Sequence, residues 1–575
     1  MHESSQPLVH VNQLGYLPHG MKRASVATPA TAPLAWELRQ SGAVVASGTT
    51  TVFGPDADSG DHIHIVDFSA YATPGGSYSL RVAGADSAPF SIAADIYQRL
   101  TRDAMGFFYH NRCGIAIAMP YAGHERWVRP EGHPQDAHVP CAPGTGDYAL
   151  DVAGGWYDAG DQGKYVVNGG IATWTLQHIY ERSLHLGAGD ALPDGSLSIP
   201  ENANGIPDIL DETRWEIEFL LKMQVPEGQP LAGMAHHKMH NDQWTPLPTA
   251  PHADQQPRIL RPPSTAATLN LAAAAAQAAR IWREIDPAFA QRCLAAAARA
   301  WDAARANPDR IAPHTDGVGG GAYGDPTVDD EFYWAACELF ITTGQQRYRE
   351  FLLASPHFAA LPSAFGKHAA PTATWGQTQA LGTIALATVP NSLDDRHIHA
   401  ARAAVVAAAD VYLADQRRQG YALVFAPGEE GYPWGSTSFA LNNQLVLALA
   451  YDLTKKAAYR DAVLEGMDYL LGRNPLGQSY VSGYGTRPLR HPHHRYWADQ
   501  IDPSFPPPPP GALSGGPDSQ RHDPHIQAVI AAGTPGQRCF DDHIASYSTN
   551  EVAINWNAPL AWVAAFLAEQ AEQIG

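Results

Sequence analysis

The chain has 575 residues, 45% of them hydrophobic and 17% charged, the balance of a globular protein and not of a disordered one. Its 58 acids against 38 bases give a net charge of −20 with no run of Lys or Arg, which argues against nucleic acid or an anionic membrane surface as a partner. No stretch of about 18 apolar residues exists, since even the Ala-rich run at 266–283 is broken by Asn270, Gln277 and Arg280, so no membrane-spanning helix is expected.

Residues 7–94 read as β. Short apolar runs near 23–28, 34–37, 43–46, 62–67, 77–82 and 88–92 are separated by turns rich in Gly, Pro, Asp and Ser. That spacing predicts a β-sandwich over residues 1–94. From residue 95 the period changes, with Ile96, Leu100, Ala104 and Phe107 on one helical face. Asn204-Gly205-Ile206-Pro207-Asp208 followed by Asp211-Glu212 marks a helix start, a turn with Pro in the first turn and acids near the positive end of the dipole. Further helical stretches lie near 168–186, 264–283, 288–306, 329–343, 345–354, 372–388, 397–415, 437–454, 456–471 and 549–570. They show no strict repeat, so a solenoid is not expected. A ring of helix hairpins with one loop-lined face is one economical packing, and a bundle is the other. Long loops at 114–153 and 496–540 stand out, the second holding Pro506 to Pro510, which either wall a cleft or span a gap.

One loop between the helices concentrates chemistry: Gly154-Gly155-Trp156-Tyr157-Asp158-Ala159-Gly160-Asp161-Gln162-Gly163-Lys164-Tyr165. Glycines make it a poor helix and a poor strand, and let the backbone approach a ligand. If Asp158 to Asp161 turns like a helix, both carboxylates point one way and can grip and deprotonate a water. A solvated turn or a calcium loop is the alternative.

Three C-terminal segments add to it. His491-Pro492-His493-His494-Arg495 can hold a metal or clamp neutral hydroxyls, with no convincing further zinc ligands nearby. Tyr432-Pro433-Trp434-Gly435 offers Tyr432 and Trp434 for stacking on a sugar face, or as a staple into the core. In Tyr547-Ser548-Thr549-Asn550-Glu551-Val552-Ala553-Ile554, Thr549 or Asn550 can cap the last helix and Glu551 would sit in its first turn.

The five cysteines, Cys113, Cys141, Cys293, Cys337 and Cys539, are too few for a disulfide scaffold and leave at least one free thiol. Cys293 and Cys337 lie in apolar helical stretches and read as small core residues. Met1-His2-Glu3 leads straight into polar residues, so no leader is visible, a pattern shared by a trimmed secreted or periplasmic protein and a cytoplasmic one.

In order along the chain, Asp-Ala-Gly-Asp (158–161), Asp-Glu-Phe-Tyr-Trp (330–334), Pro-His-His-Arg (492–495) and Asn-Glu-Val-Ala-Ile (550–554) resemble glycoside hydrolase family nine, the inverting cellulase family. The opening Val11-Asn12-Gln13-Leu14-Gly15-Tyr16 looks like the immunoglobulin-like module that precedes the catalytic domain in one branch of it. The resemblance implies a multidomain chain: an immunoglobulin-like β-sandwich (1–94) packed against an all-α (α/α)6 barrel (95–575), expected to be a monomer. It implies Asp161 as general base, Asp158 as its partner on the same water and Glu551 as general acid. His493, Arg495 and Tyr547 match residues around the cleaved bond. An inverting pair stands roughly 6.5–9.5 Å apart to admit a water, and its acid must have a raised pKa.

The expected activity is hydrolysis of β-1,4-glucan in endo mode, without a catalytic cofactor. Exo release of cellobiose, glucose or glucosamine is the alternative, with loop 114–153 closing one end of the cleft. A non-catalytic carbohydrate-binding protein is the third. Relatives with this module carry zinc on two Cys and two His. Here Ala142 follows Cys141 and Tyr157 precedes Asp158, so zinc is not expected, a Cys113–Cys141 disulfide is, and only His138 could rescue a metal site. Asp325, Asp330 and Glu331, with Asp329, lie where relatives bind calcium, although Gly376 follows Trp375 where some have a further acid.

Overall fold

The computed structural model describes residues 8–187, 192–362 and 372–573, so residues 1–7 of the first expected unit and 574–575 of the second lie outside the described residues. Two sheets form the N-terminal part, antiparallel except for one parallel pair, Gly15–Tyr16 with Phe90–Ile92. One sheet has the order β1-β3-β7-β6 (Leu8–His10, Arg23–Ala27, Asp61–Asp67, Thr51–Asp56). The other runs β2-β10-β8-β4-β5 (Gly15–Tyr16, Phe90–Ile92, Gly75–Val82, Ala35–Gln40, Ala43–Thr49), with β9 (Ala85–Asp86) on β8. Alternation sets the register: Trp36 pairs Val82 and Leu38 pairs Leu80, and all four side chains are buried in the inter-sheet core with Val26, Val66 and Phe90. Strand β6 was not foreseen, because Gly54 and Pro55 interrupt its apolar pattern.

Helices begin with α1 (Ile96–His110) and continue as α2 (Val166–Leu186), α3 (Asp208–Lys222), α4 (Thr265–Ile281), α5 (Pro287–Ala306), α6 (Asp329–Thr343), α7 (Gln346–Ala354), α8 (Gln379–Thr388), α9 (Asp395–Arg417), α10 (Ser436–Thr454) and α11 (Ala457–Leu470). After the short α12 (Pro524–Val529) and one-turn α13 (Tyr547–Asn550), the chain ends in α14 (Ile554–Gln573). Helices α2, α4, α6, α8, α10 and α14 are buried nearly all round, whereas α1, α3, α5, α7, α9 and α11 keep an exposed side. Each of the second set packs on a member of the first, and α14 closes back onto α2 and α10. This is the expected (α/α)6 ring. Small residues allow its close inner contacts, with Ala272 to Ala276 of α4 fully buried. Cys293 and Cys337 are core residues. Among the described residues no helix is long and apolar enough to cross a membrane.

Two expectations need correction. The last helix starts at Ile554, so Glu551 is not in its first turn; it is extended (φ −69°, ψ 159°), because its backbone bridges His493 while Val552 bridges Ser514. The Cys113–Cys141 disulfide is absent, and all five cysteines are free. The Cys113 thiol instead donates to Asp136 Oδ2 (3.3 Å), and Cys141 lies against Gly146 and Tyr148. The proline run lines a separate cavity through Pro509 and Pro510, with Pro507 O accepting from Trp127 Nε1 (2.9 Å).

Candidate active site

Five of the six inner helices are entered from loops that meet at one end of the ring. These loops place Asp161 before α2, Tyr323 before α6, Trp375 before α8, Trp434 before α10 and Glu551 before α14 around one cavity of about 560 Å³. Trp244, Phe439, Asn442, Gln520, His522, Asn555 and Trp556 complete much of its wall. No residue of loop 114–153 lines it.

The 154–165 loop is clamped from below. Asp136 takes Arg258 Nε on Oδ1 (3.0 Å) and Lys164 Nζ on Oδ2 (3.0 Å), all three fully buried. The two cations then grip the loop: Lys164 Nζ donates to Val152 O (2.6 Å) and Gly154 O (2.9 Å), and Arg258 donates to Gln162 O (2.8 Å). Burial alone would raise the Asp136 carboxyl, but Arg258 and Lys164 overcome it and hold it well below the usual carboxylate range. Burial pushes the Cys113 thiol up. A zinc centre needs thiolates. Two buried cations already crowd Asp136 beside Cys113, which does not fit a further cation there, and His138 is exposed.

Asp161, 8% exposed, reaches the cavity; its Oδ2 accepts from Tyr165 O–H (2.7 Å) and Gly163 N–H (3.2 Å). Asp158, 1% exposed, lies behind it and is not on the wall, so the two carboxylates do not present themselves side by side as a helical turn would have them. Asn168 Nδ2 donates to both Asp158 oxygens (2.8 and 2.9 Å) and Tyr323 O–H to Oδ2 (2.9 Å). Burial, then the charge of Asp161, raises Asp158 to about 7. Tyr323 holds this position at φ +48°, a strained backbone at the site.

Glu551 comes to the same cavity from nearly four hundred residues away and accepts from Gly160 N–H (3.3 Å). Position 160 must be glycine, because a Cβ there would run into the His493 carbonyl. Burial first, then the nearby Asp161, pushes the Glu551 carboxyl well above the usual carboxylate range. A proton stays on one wall group while Asp161 stands close by, which is the requirement for acid–base work on a neutral substrate.

His493 and Arg495 stand just outside the cavity wall. Arg495 N–H donates to His493 Nε2 (3.0 Å), so the ring proton is on Nδ1, donating to Ile544 O (2.6 Å). Burial and Arg495 lower His493 to about 4 and keep it neutral. Arg495 also lies 5.7 Å from the ring of Trp244, which is 45% exposed and lines the cavity. Tyr547 packs between His493 (5.7 Å) and Trp434 (5.4 Å). Tyr432 does not meet the expectation of sugar stacking: it is 1% exposed, with its hydroxyl on Asp58 Oδ2 (3.2 Å). Trp434, two residues on, is 36% exposed and does line the cavity.

Trp244, Trp375, Trp556, Tyr323 and His522 escaped the sequence reading. Tyr323 carried a signal, since Gly319-Gly320-Gly321-Ala322-Tyr323-Gly324 repeats the glycine-rich character of the first loop.

Asp325, Asp330 and Glu331 form a buried group behind Trp375. Among the described residues, Asp325 Oδ2, Asp330 Oδ1 and both Glu331 oxygens meet no donor from outside the group, and Glu331 faces Asp330 and Asp325. Burial raises Asp325 to about 6 and, with Asp330, Glu331 well above its ordinary value. Position 376 adjoins this group, a Cβ there standing 3.1 Å from Asp325 Oδ2. The side chains are not gathered at metal-ligand spacing among the described residues. Even so, clustered carboxylate oxygens suit a hard cation with oxygen ligands. Asp329 is outside the group, exposed and paired with His357 (2.9 Å).

Carboxylates from two distant segments on one aromatic-walled cavity, at the loop end of a helical ring, are the equipment of a glycoside hydrolase. The chain is 50% identical to a cellulose 1,4-beta-cellobiosidase of Acetivibrio thermocellus, over 98% of this chain and 67% of that one. It is 48% identical to endoglucanase C of Cellulomonas fimi, over 98% of this chain and 52% of that one, so it spans about half to two thirds of these relatives. A metagenome-derived glycoside hydrolase family 9 endoglucanase superposes with a TM-score of 0.85 at 34% identity, covering 98% of this chain and 99% of its own. The profile for "Glycosyl hydrolase family 9" matches residues 97–564, and that for "Cellulase N-terminal ig-like domain" matches 4–87. The chain belongs to glycosyl hydrolase family 9.

Proposed function

We propose that the protein hydrolyses β-1,4-glucan with inversion of anomeric configuration, in endo mode. The meeting of Asp161 and Glu551 on one cavity carries this reading. Asp161 takes a proton from a water whose oxygen attacks the anomeric carbon. As the glycosidic C–O bond breaks, Glu551 gives its proton to the leaving oxygen. Asp158 is a positioning group that keeps Asn168 and Tyr323 in place behind the base. The exposed indoles of Trp244 and Trp434 offer flat apolar faces to glucosyl rings, an arrangement that serves a neutral polysaccharide. Two units, 1–94 and 95–575, form the working protein in this proposal, in a secreted or periplasmic setting.

The exo alternative is favoured by the cellobiosidase likeness. It places loop 114–153 at the cleft end; no residue of that loop lines the cavity shared by Asp161 and Glu551. NMR of the first product from cellopentaose should show the α-anomer before mutarotation. Viscosity of a soluble β-glucan should drop ahead of reducing-end release. A β-anomer would overturn inversion, and release of sugar without viscosity loss would overturn the endo mode.

Asp325, Asp330 and Glu331 are proposed to hold a structural calcium. Added calcium should raise the melting temperature at pH 7.5 and do so much less at pH 5, where protons occupy the raised carboxyls Asp325 and Glu331. Asp325→Asn should abolish the response; a melting temperature indifferent to calcium and to chelator at pH 7.5 would exclude the ion.

A further inference from the structure

We infer that the β-sandwich sets a sugar subsite inside the barrel's cleft, with Asp58 positioning Trp434 by holding Tyr432. This rests on the proposed action on a glucan. Asp58 lies on the turn between β6 and β7, and that turn is locked to the barrel on three sides. Asp56 Oδ1 accepts from Gly420 N–H (3.0 Å), Ser59 O accepts from Arg538 Nε (2.8 Å), and Asp61 pairs with Arg538 (2.7 Å).

Within this frame the Tyr432 hydroxyl donates to Asp58 Oδ2 (3.2 Å) and accepts from Gln537 Nε2 (3.2 Å). Gln537 is held in turn by its backbone N–H on Asp58 O (2.9 Å). Burial, then the Asp58 charge, raises the Tyr432 hydroxyl well above its ordinary range, so it remains the donor.

Tyr432 is also fastened through its backbone. Its N–H donates to Ser519 Oγ (2.7 Å), and its carbonyl accepts from Ser519 N–H (3.0 Å). Two residues later Trp434 enters the cavity, its ring 5.4 Å from Tyr547 and 6.3 Å from His522. Gly435 closes the segment at φ +85°, where a Cβ would stand 3.1 Å from the Trp556 ring. The exposed indole is thus carried on a short span between Tyr432, tied to the other domain, and Thr437, whose N–H donates to Gly515 O (3.1 Å). Gln520 and His522 on the same wall supply polar edges beside the flat face, which suits a glucosyl ring with its rim of hydroxyls. Asp58 touches no substrate; it acts through Tyr432.

The test is steady-state kinetics of the full chain on cellotriose through cellohexaose, with the melting temperature of each variant. Trp434→Ala should raise KM about tenfold on the longest oligosaccharides, a loss of about 1.4 kcal/mol in binding, and much less on the shortest. Asp58→Ala should reproduce part of that length-dependent rise, with kcat on cellotriose unchanged. The double variant should be no worse than Trp434→Ala alone, since both remove one effect. Tyr432→Phe gives the same readout if Asp58→Ala does not fold. An Asp58→Ala chain that melts earlier but keeps its kcat/KM at every length would reduce the contact to packing and overturn the inference. So would a KM rise equal at every length, or effects that multiply in the double variant. A wild-type chain that cleaves no member of the ladder refutes the hydrolase reading instead, and calorimetric binding of cellohexaose to the same variants then tests the coupling.

Discussion

Glu551→Gln should lower kcat on cellotetraose by about 10²–10⁴-fold, the span carried by a positioned general acid. On 2,4-dinitrophenyl cellobioside the same variant should keep most of its activity, because dinitrophenolate leaves without a proton. Asp161→Asn should lose activity on both substrates, since each needs the water activated. The pair separates the two roles: equal loss on both substrates for Glu551→Gln would remove it as the acid. The pH profile adds a signed check. Glu551 is raised by burial and then by Asp161, and it must be protonated to act, so activity is lost as pH rises through its pKa. Removing the Asp161 charge removes one raising cause, so the alkaline limb of the residual activity of Asp161→Asn should lie at lower pH than in the wild type.

Asp136→Ala should destabilise the protein by about 3–5 kcal/mol, the cost of leaving buried cations without their partner. Lys164 and Arg258 would both be stranded, and both hold the segment around the 154–165 loop by its carbonyls. Urea unfolding at pH 7 gives the size of the loss, and the folded variant should also turn over more slowly as Asp161 loses its fixed position. An unchanged midpoint would mean that the ion cluster is not the clamp. The acid response follows from the sign of the shift. The folded-state pKa of Asp136 is depressed, so its contribution is present above its unfolded value, about 3.9, and is lost as pH falls. The wild type should therefore lose stability more steeply below pH 4 than the variant does. Asp158 and Glu216, a buried α3 residue that accepts from Trp156 N–H (2.7 Å), act in the opposite sense. Burial raises them to about 7 and about 8, so the stability they contribute is present in acid and is lost as pH rises through those values.

Much of the site was legible because its residues stand in short ordered motifs. Asp158, Asp161, His493, Arg495 and Glu551 are each marked by neighbours that recur in a family, and the structure brings all five to one region. Aromatic walls were not legible in the same way. Trp434 and Tyr432 are two residues apart and look equivalent in sequence, yet one faces the cavity and the other is buried on Asp58. Solvent exposure of a ring depends on what the rest of the chain packs over it, and that information is nonlocal. Cys113 and Cys141 failed for a related reason, since pairing two thiols requires knowing whether a better partner, here Asp136, has reached one of them first.

By itself the sequence determined the order of the sandwich and the helices, because alternation and the 3.6-residue period are local consequences of backbone geometry. It also determined which carboxylates to watch. Only the tertiary structure decided which of them meets the cavity. Asp158 and Asp161 differ by three residues, but one is sealed under Asn168 and Tyr323 and the other, held by Tyr165 and Gly163, lines the same cavity as Glu551. Burial and the approach of a distant charge set the protonation of these groups, and both depend on contacts between segments hundreds of residues apart.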